Sequence, residues 1–245
     1  MRLPVTVALL QHPAHGWGLF DTGAGPHIAR AASRWPFSLY PRVVPTFPSD
    51  DGPVIDMLPR LGLTAADIQW IVISHVHPDH VGGLRDFPSA RFHASRDAFE
   101  YARSLSGWRA LRHAVLPGLL PDDAVDRTTC IEDWTGAPLG PLGGTHDLFG
   151  DGSARLVRLP GHARGQVGML VRLPETTTLL SADGCYLSRS IRENRPPHWI
   201  TALFADDYGA VKQTVAALHA FASANPDVVV IPTHCPEALA RWKGR

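Results

Sequence analysis

The chain has 245 residues, of which 44% are hydrophobic, and its 23 basic residues are balanced by 23 acidic ones. This length and composition predict a single globular domain over residues 1–245, with a sizeable core. Because the balanced charge offers no general attraction to phosphate, nucleic acid is not an expected partner. No run reaches the roughly 20 apolar residues that span a bilayer, so no membrane partner is expected either.

Two further features bear on the compartment. The cysteines Cys130, Cys185 and Cys235 are few and odd in number, which predicts a reducing compartment without a disulfide framework. The N-terminal apolar run is interrupted by Pro4 and lacks a small-x-small cleavage site, so it reads as a first strand and not as a signal peptide. We therefore expect a cytoplasmic protein, either a monomer or a homodimer.

The first half of the chain alternates strand and helix patterns. A hairpin is predicted in "VTVALLQHPAHGWGLFDTG", and helical spacing follows in "PVIDMLPRLGL". Thr64 and Asp67 form a capping pattern just before the strand "WIVIS". The run "ARFHAS" predicts another strand, and "SRDAFEYARS" predicts a helix capped by Ser95.

The pattern blurs from about residue 104 to residue 145. Long irregular insertions in a domain often form lids or pocket walls, so we expect a pocket or lid insertion here. The apolar part, residues 111–120, has an equally good alternative explanation as a core helix broken at Pro117.

Regular patterns return in the second half. The turn dipeptide Asp151-Gly152 predicts a hairpin, and "QVGMLVRL" and "TTTLLSAD" predict two further strands. A long helix is predicted in "DDYGAVKQTVAALHAFASANP", followed by a last strand in "DVVVIPTH". Two groups of strands with helices between them favour an α/β sandwich whose sheets meet face to face.

The stretch "ISHVHPDHVGG" gathers chemically active side chains directly after a buried strand. His75, His77, Asp79 and His80 lie within six consecutive positions. Each imidazole brings two nitrogens that need partners, so the cluster has no packing advantage. Imidazole and carboxylate are ligands of zinc and of related divalent ions, and the stretch therefore predicts a metal site.

Three more candidate ligands, His162, Asp183 and His234, each follow a predicted strand. Strands that run side by side would bring these residues to one rim. Four ligands from one turn do not fit a single tetrahedral ion, so we predict two ions. His75 and His77 point to the same side and would share one ion with His162. Asp79 and His80 would share the other with His234, and Asp183 would bridge both.

Two ions about 3.5–4 Å apart can share a water molecule and lower its pKa towards neutrality. The site then predicts a hydrolase in which a metal-bridging hydroxide attacks a carbonyl or phosphoryl centre. We assign to Asp79 the transfer of a proton to the leaving group. Zinc is the expected metal, with manganese, cobalt and iron as alternatives.

The motifs "HVHPDH", "LPGH", "SADG" and "PTH" resemble, in this order, the signature of the metallo-β-lactamase superfamily. The resemblance extends from residue 5 to residue 234. It implies a four-layer αββα sandwich of the metallo-β-lactamase type, with the metal site at one edge of the two sheets. It also implies the same ligands: His75, His77, Asp79, His80, His162, Asp183 and His234.

A finer resemblance concerns "DGCY". Tyr186 lies three residues after Asp183, as in N-acyl homoserine lactonases, where such a tyrosine leans over the metals and hydrogen-bonds the substrate carbonyl oxygen. The resemblance thus implies a catalytic role for Tyr186, beside the roles predicted above for Asp79 and Asp183. Gln166 and Cys235 depart from the lactonase pattern, which weakens the assignment of substrate and not that of the metals.

Other residues near the motifs have simpler explanations. Cys185 and Cys235 are predicted to be small buried fillers and not thiolate ligands. Asp21 in "FDTG" either supports the metal ligands from behind or forms a turn.

The predicted function is that of a lactonase that opens cyclic esters and binds a small substrate with an apolar portion. The alternatives are a phosphotriesterase and a glyoxalase II-like thioesterase. The thioesterase would need a cationic patch for glutathione, and the C-terminal part offers nothing towards one beyond Lys212, Arg241 and Lys243. Outside the hydrolases, the alternative is an iron persulfide dioxygenase with one metal. The number of bound metal ions separates the hydrolases from the dioxygenase.

Overall fold

The computed structural model describes residues 3–45, 51–203 and 205–243. The chain divides into two units, one formed by Val7–Cys130 and the other by Met1–Thr6 together with Ile131–Arg245. We call them the N-terminal unit and the C-terminal unit. The prediction of a single domain over residues 1–245 stays a prediction.

The N-terminal unit is built on a five-stranded sheet whose spatial order follows the order in the chain. The first two strands form the predicted antiparallel hairpin, and the next two pairings are parallel. The third strand is buried at five of its six positions, as expected for a strand covered on both faces. The strands are β1 (Ala8–His12), β2 (Gly16–Phe20), β3 (Ile68–Ile73), β4 (Arg91–Ser95) and β5 (Thr128–Ile131).

Short helices connect these strands. They are α1 (His27–Ala31), α2 (Tyr40–Val43), α3 (Val54–Met57), α4 (Pro78–Val81), α5 (Arg96–Ser104), α6 (Gly107–Arg112) and α7 (Ala124–Arg127). Single 3₁₀ turns span Phe37–Leu39, Leu58–Leu61, Ala65–Asp67, Leu84–Asp86 and Pro117–Leu119.

Two predicted caps are confirmed in this unit. The Ser95 side chain accepts a hydrogen bond from the amide of Ala98 at 3.1 Å and begins α5. Thr64 and Asp67 form a capping box, and its hydrogen bonds lower the pKa of the Asp67 carboxyl. That box holds only a 3₁₀ turn, because β3 starts at the next residue.

The apolar run from 111 to 120 belongs to the core of the N-terminal unit. Val115, Leu116 and Leu119 are each at most 3% exposed and join one hydrophobic cluster. The core explanation is therefore confirmed, although the run is not one helix: α6 ends at Arg112, and Pro117 begins a 3₁₀ turn.

The C-terminal unit contains a second five-stranded sheet. Its strands are β6 (Thr145–Asp147), β7 (Ala154–Arg158), β8 (Val167–Arg172), β9 (Thr177–Ala182) and β10 (Val228–Pro232). The order in space is β10-β9-β8-β7-β6, and only the β10–β9 pairing is parallel. The predicted hairpin around Asp151-Gly152 is confirmed by the pairing of β6 with β7.

The helices of this unit are α8 (Ser188–Arg192), α9 (Tyr208–Ala224) and α10 (Pro236–Lys243), with 3₁₀ turns at Gly140–Leu142 and Trp199–Leu203. The predicted long helix is α9, which Asp207 caps through the amide of Ala210 at 3.0 Å. It buries Val215 and Leu218 in the cluster around the sheet. Both units thus combine a mixed sheet with helices, which confirms the α/β class. None of the helices in the described ranges is long and apolar enough to cross a membrane.

Candidate metal centre

The candidate ligands of the N-terminal unit follow the buried strand β3. The strand ends at Ile73, a bend follows at Ser74, and His77 has extended backbone directly before the first turn of α4. Pro78 takes the first helical position, where its missing amide hydrogen costs nothing. His75 and His77 therefore lie between the strand and the helix, whereas Asp79 and His80 lie on a helical turn.

The three imidazoles of this segment are in contact. The ring centroid of His75 lies 4.6 Å from that of His77 and 4.0 Å from that of His80. His75 and His80 are at most 1% exposed, and the Asp79 side chain is 24% exposed. The structure thus brings together the three predicted histidines of the N-terminal unit, and Asp79 lies 3.8 Å from the Nε2 atom of His80.

Asp21 supports these ligands from behind. Its Oδ1 accepts the backbone amide of Ser74 at 2.8 Å, and its Oδ2 accepts the Ser74 hydroxyl at 2.7 Å. The same Oδ2 lies 2.7 Å from the Nδ1 atom of His80. Asp21 also has a positive φ of 63°, in the region that aspartate tolerates better than most residues. Of the two explanations from sequence, supporting the ligands is therefore confirmed.

These contacts fix which nitrogen each ring presents. The single hydroxyl proton of Ser74 goes to Asp21, so its oxygen is left to accept from the Nδ1 atom of His75 at 3.0 Å. The Nδ1 atom of His80 donates to the Asp21 carboxylate. In both neutral rings the Nε2 atom then carries the lone pair, which is the arrangement of a metal-binding histidine. Sequence analysis missed Ser74, whose signal is a hydroxyl directly before the first histidine.

The loop after β2 holds the α4 turn in place. The Thr22 amide donates to the His80 carbonyl at 2.8 Å, and the Thr22 hydroxyl donates to the same oxygen at 3.0 Å. A side chain at Gly25 would place its Cβ 2.3 Å from the carbonyl oxygen of Gly82. Glycine is required there because the two backbones touch.

Tyr40 is a buried phenol near Asp79 that sequence analysis did not identify. The residue is 4% exposed. Burial, and to a lesser extent the charge of Asp79, raise the pKa of Tyr40 above its usual value. The phenol therefore stays protonated at any ordinary pH and remains a hydrogen-bond donor.

The candidate ligands of the C-terminal unit meet at one carboxylate oxygen. The Nε2 atom of His162 lies 3.3 Å from Oδ2 of Asp183, and the Nε2 atom of His234 lies 3.1 Å from the same oxygen. Asp183 follows β9 and His234 follows β10, which pair in parallel, so their carboxyl ends lie side by side. The structure thus brings together all three ligands predicted for this unit.

The chemistry of this group fits a metal ion. The Nδ1 atom of His234 lies 2.8 Å from the carbonyl oxygen of Pro4, which can only accept, so Nδ1 carries the proton. In the neutral ring, the Nε2 lone pair then faces the Asp183 oxygen. The nitrogen and oxygen lone pairs repel each other at 3.1 Å, and a bound cation would attract both. Nitrogen and carboxylate oxygen are the donors that zinc and related ions prefer.

The loop that carries His162 is held by backbone contacts. A Cβ at Gly161 would lie 2.3 Å from the amide nitrogen of Val211 in α9, and its φ of +123° also favours glycine. Gln166 donates from Nε2 to the carbonyl of Leu159 at 3.0 Å and so closes the loop. The glutamine that departs from the lactonase pattern therefore has a structural role here.

Tyr186 lies against His162. Its hydroxyl is 2.9 Å from the Nδ1 atom of His162, and the two rings meet edge to face. If His162 binds a metal through Nε2, its Nδ1 carries a proton and donates to the tyrosine oxygen. The hydroxyl proton of Tyr186 is then left to donate elsewhere.

The two cysteines next to candidate ligands are buried, as predicted. Cys185 is 3% exposed and Cys235 is 1% exposed. Burial raises the pKa of the Cys185 thiol above its usual value, so it stays a thiol. The Sγ atom of Cys235 accepts the amide of Ser188 at 3.2 Å and that of Ala238 at 3.4 Å.

The sequence is similar to a well-populated family. The family profile described as Metallo-beta-lactamase superfamily matches residues 1–234. The chain is 29% identical over 247 residues to the N-acyl homoserine lactonase AttM of Rhizobium radiobacter, covering 99% of this chain and 86% of that protein. It is also 29% identical over 194 residues to the N-acyl homoserine lactonase AiiB of Agrobacterium fabrum, covering 75% of this chain and 64% of that protein.

Solved structures share the fold. A variant of AiiA from B. thuringiensis with N-decanoyl-L-homoserine at its active site aligns with a TM-score of 0.69 and 20% identity, covering 98% of this chain and 85% of that one. The dizinc quorum-quenching lactonase AidC aligns with a TM-score of 0.65 and 16% identity, covering 97% of this chain and 74% of that one. The predicted metallo-β-lactamase type of α/β fold is therefore confirmed.

Proposed function

Because the chain belongs to the metallo-β-lactamase superfamily, we propose that it is a metal-dependent hydrolase that opens lactone rings. The proposed substrates are N-acyl homoserine lactones. The observation that carries the proposal is the meeting of two imidazole Nε2 atoms at one oxygen of Asp183, within 3.3 Å. We propose that this carboxylate is shared between two metal ions.

We further propose that the ligands of both units hold the same pair of divalent ions, of which zinc is the favoured identity. The first ion would be held by His75, His77 and His162, and the second by Asp79, His80 and His234. Asp183 would contact both. The support is the order of the motifs in the family and the tautomers that Ser74, Asp21 and Pro4 impose on their histidines.

Such ions, when bound, generate a nucleophile from water at neutral pH and polarise the carbonyl oxygen under attack. The protein residues would complete the reaction. Tyr186, whose oxygen accepts from His162, would donate its hydroxyl proton to the lactone carbonyl oxygen as that oxygen gains charge. Asp79 would carry a proton to the ring oxygen that leaves, and its partial exposure allows the exchange of that proton with solvent.

The choice of substrate is supported by relatives and by one residue. AttM and AiiB are named N-acyl homoserine lactonases, and AiiA holds the ring-opened product of such a lactone. Tyr186 offers a neutral donor suited to a carbonyl oxygen. A phosphotriesterase would use the same metal ligands, and so would a thioesterase, so only a substrate panel separates the three.

The test is an assay of the purified full chain loaded with zinc, cobalt or manganese. The panel contains N-hexanoyl homoserine lactone, a phosphotriester, a thioester of glutathione and a cephalosporin, and metal content is measured in parallel. We expect two ions per chain and the fastest turnover on the lactone. One bound iron with oxygen uptake would overturn the proposal, as would faster turnover on any other member of the panel.

The ligand assignment is tested by Asp183→Ala and His80→Ala. We expect each variant to bind fewer than two ions and to lose lactone hydrolysis. His15→Ala is the matched control, because His15 is exposed in the turn between β1 and β2. A fully active Asp183→Ala variant would contradict the bridging role.

A further inference from the structure

The positive charge of the chain is unevenly distributed. Residues 22–49 and residues 101–121 contain no acidic residue at all. The remaining 17 basic residues stand against all 23 acidic ones, so the two segments carry a net charge of +6 and the rest of the chain −6. The six arginines of the two segments are exposed: Arg30, Arg34, Arg42, Arg103, Arg109 and Arg112.

The described parts of the two segments contact each other in the N-terminal unit at two places. A Cβ built at Gly118 would touch the side chain of Ala31 at 3.4 Å, so the turn after α6 packs on α1. Trp35 and Trp108 meet edge to face, with ring centroids 5.3 Å apart. Each tryptophan has an arginine as its sequence neighbour, Arg34 and Arg109. We call the two tryptophans and these two arginines the Trp–Arg face; the other four arginines lie elsewhere in the same two segments.

The Trp–Arg face exposes an unusual amount of apolar surface. Trp35 is 67% exposed and Trp108 is 57% exposed, although the two rings cover part of each other. Val43 and Val44, beside Arg42, are 62% and 40% exposed. Single exposed apolar residues are common on protein surfaces. The two exposed tryptophans, in contact with each other, form a continuous apolar patch, and such a patch marks a surface that binds a partner.

We propose that the Trp–Arg face binds the surface of a bilayer that contains anionic phospholipids. Indole rings favour the boundary between headgroups and acyl chains, and guanidinium groups pair with lipid phosphates while their stems cover apolar surface. Juxtaposed cations and exposed aromatic or aliphatic side chains are the two signals that peripheral binding requires. The face supplies both.

Two other occupants fit less well. Single-stranded nucleic acid stacks its bases on aromatic faces, and the exposed valines would have no role against bases. A second copy of this chain, joined symmetrically through the same face, would set arginines against arginines.

The proposal revises the expectation that no membrane is involved. That expectation rested on the missing span and on the balanced net charge, and neither excludes binding to a surface. The local distribution of charge is the informative feature. The proposal does not depend on the substrate, because vesicle binding is measured without one.

The experiment is co-sedimentation of the full chain with vesicles of phosphatidylcholine, with and without phosphatidylglycerol. We expect binding only when phosphatidylglycerol is present, with a blue shift of tryptophan emission. Raising the salt to about 0.5 M should release the protein, because the Debye length then falls to a few ångströms. Sedimentation that is equal with both vesicle types would contradict the proposal.

Variants locate the surface. Each arginine near an anionic membrane contributes about 1 kcal/mol, so Arg34→Glu with Arg109→Glu should weaken binding at least ~30-fold. Trp35→Ala with Trp108→Ala should abolish the blue shift and weaken binding about 10-fold or more. The matched control reverses the charge of two exposed arginines in the C-terminal unit, Arg195→Glu with Arg241→Glu. Circular dichroism and lactone turnover verify that each variant is folded.

The proposal is overturned if the charge-matched control loses as much binding as the Arg34 and Arg109 variant. It is replaced by a nucleic-acid surface if a single-stranded oligonucleotide binds and phosphatidylglycerol vesicles do not. It is replaced by a self-association surface if light scattering shows a dimer that Trp35→Ala with Trp108→Ala dissociates.

Discussion

The tautomers of the candidate ligands are set by partners that are easily overlooked. His75, His80 and His234 each have the Nδ1 atom next to an oxygen of the protein: a hydroxyl, a carboxylate and a backbone carbonyl. None of these partners would itself contact a metal. By holding the proton on Nδ1, these oxygens leave the Nε2 lone pair to face the ion. No free energy is then lost in changing the tautomer when the metal binds. The residues behind the ligands are therefore as informative as the ligands.

Tyr186→Phe tests the donor role of the phenol. The change removes one hydroxyl and leaves the ring, so the metal content should stay intact. We expect kcat for the lactone to fall ~10- to 100-fold, the scale of losing one hydrogen bond to a developing oxyanion. Steady-state kinetics with metal analysis measures this.

Tyr208→Phe is the control for Tyr186→Phe, because it also loses one hydroxyl hydrogen bond, to the carbonyl of Pro197. If both variants lose rate equally, the effect is structural. An unchanged rate in Tyr186→Phe would exclude the phenol from the lactone reaction.

Asp21→Asn tests support from behind the ligands. Asparagine keeps only one acceptor oxygen, so either the backbone amide of Ser74 or the Nδ1–H of His80 would face an NH₂ group and lose its acceptor. We expect metal affinity to fall ~10- to 100-fold, measured by competition with a chelator. Asp86→Asn is a matched control, because Asp86 pairs with His27 at 2.7 Å outside the candidate site. Equal metal affinity of Asp21→Asn and the unaltered chain would refute the supporting role.

At the scale of elements, the candidate ligands lie where strands end. In the N-terminal unit, β3 delivers His75 and the first turn of α4 delivers Asp79 and His80. In the C-terminal unit, two parallel strand ends deliver Asp183 and His234. Hydrogen bonds between strands fix the backbone up to the end of each strand. The side chains that follow directly are therefore held in place, although they lie outside the sheet.

The thiol of Cys235 connects the helices α8 and α10. It accepts amide hydrogens at the start of α8 and in the first turn of α10, where side-chain capping satisfies otherwise orphaned amides. We expect Cys235→Ala to lower the free energy of unfolding by about 1–3 kcal/mol, measured in urea. Cys235→Ser keeps an acceptor and should recover part of the loss.

Cys130→Ala is the control for Cys235→Ala, because Cys130 is only half-buried. Two outcomes would argue against the capping role. One is a Cys235→Ser variant as unstable as Cys235→Ala, and the other is a Cys130→Ala variant that costs as much.

Local signals predicted the regular elements well. Strand-like runs located the first hairpin, the turn dipeptide Asp151-Gly152 located the second, and the Ser95 cap located the start of α5. The 104–145 segment could not be predicted in the same way. Its short helices are defined by burial against the rest of the N-terminal unit, and burial depends on contacts that are distant in sequence.

At the scale of the whole molecule, the candidate ligands could be selected from the sequence because their spacing and order form a motif. Ser74, Tyr40 and the Pro4 carbonyl could not. Pro4 and His234 are separated by 230 positions, and only the folded chain brings them together. The tautomers that make the histidines competent therefore come from tertiary structure.

Removing the metal tests whether ligands from both units serve the same ions. Binding to the folded state alone stabilises it by about 4 kcal/mol when the free ligand is at 1,000 times its Kd, so a chelator should lower the Tm. Hydrogen exchange locates the effect. We expect amides of residues 75–83 and of residues 159–166 to exchange faster together once the metal is removed.

The His80→Ala variant makes this test decisive. If the ions are shared, adding metal to that variant should protect the 159–166 segment less than it does in the unaltered chain, although the substitution lies in the other unit. The physical reason is that an ion missing a ligand from one unit binds the remaining ligands more weakly. Full metal-dependent protection of residues 159–166 in His80→Ala would mean that each unit binds its ion independently. The proposed pair of shared ions would then be wrong.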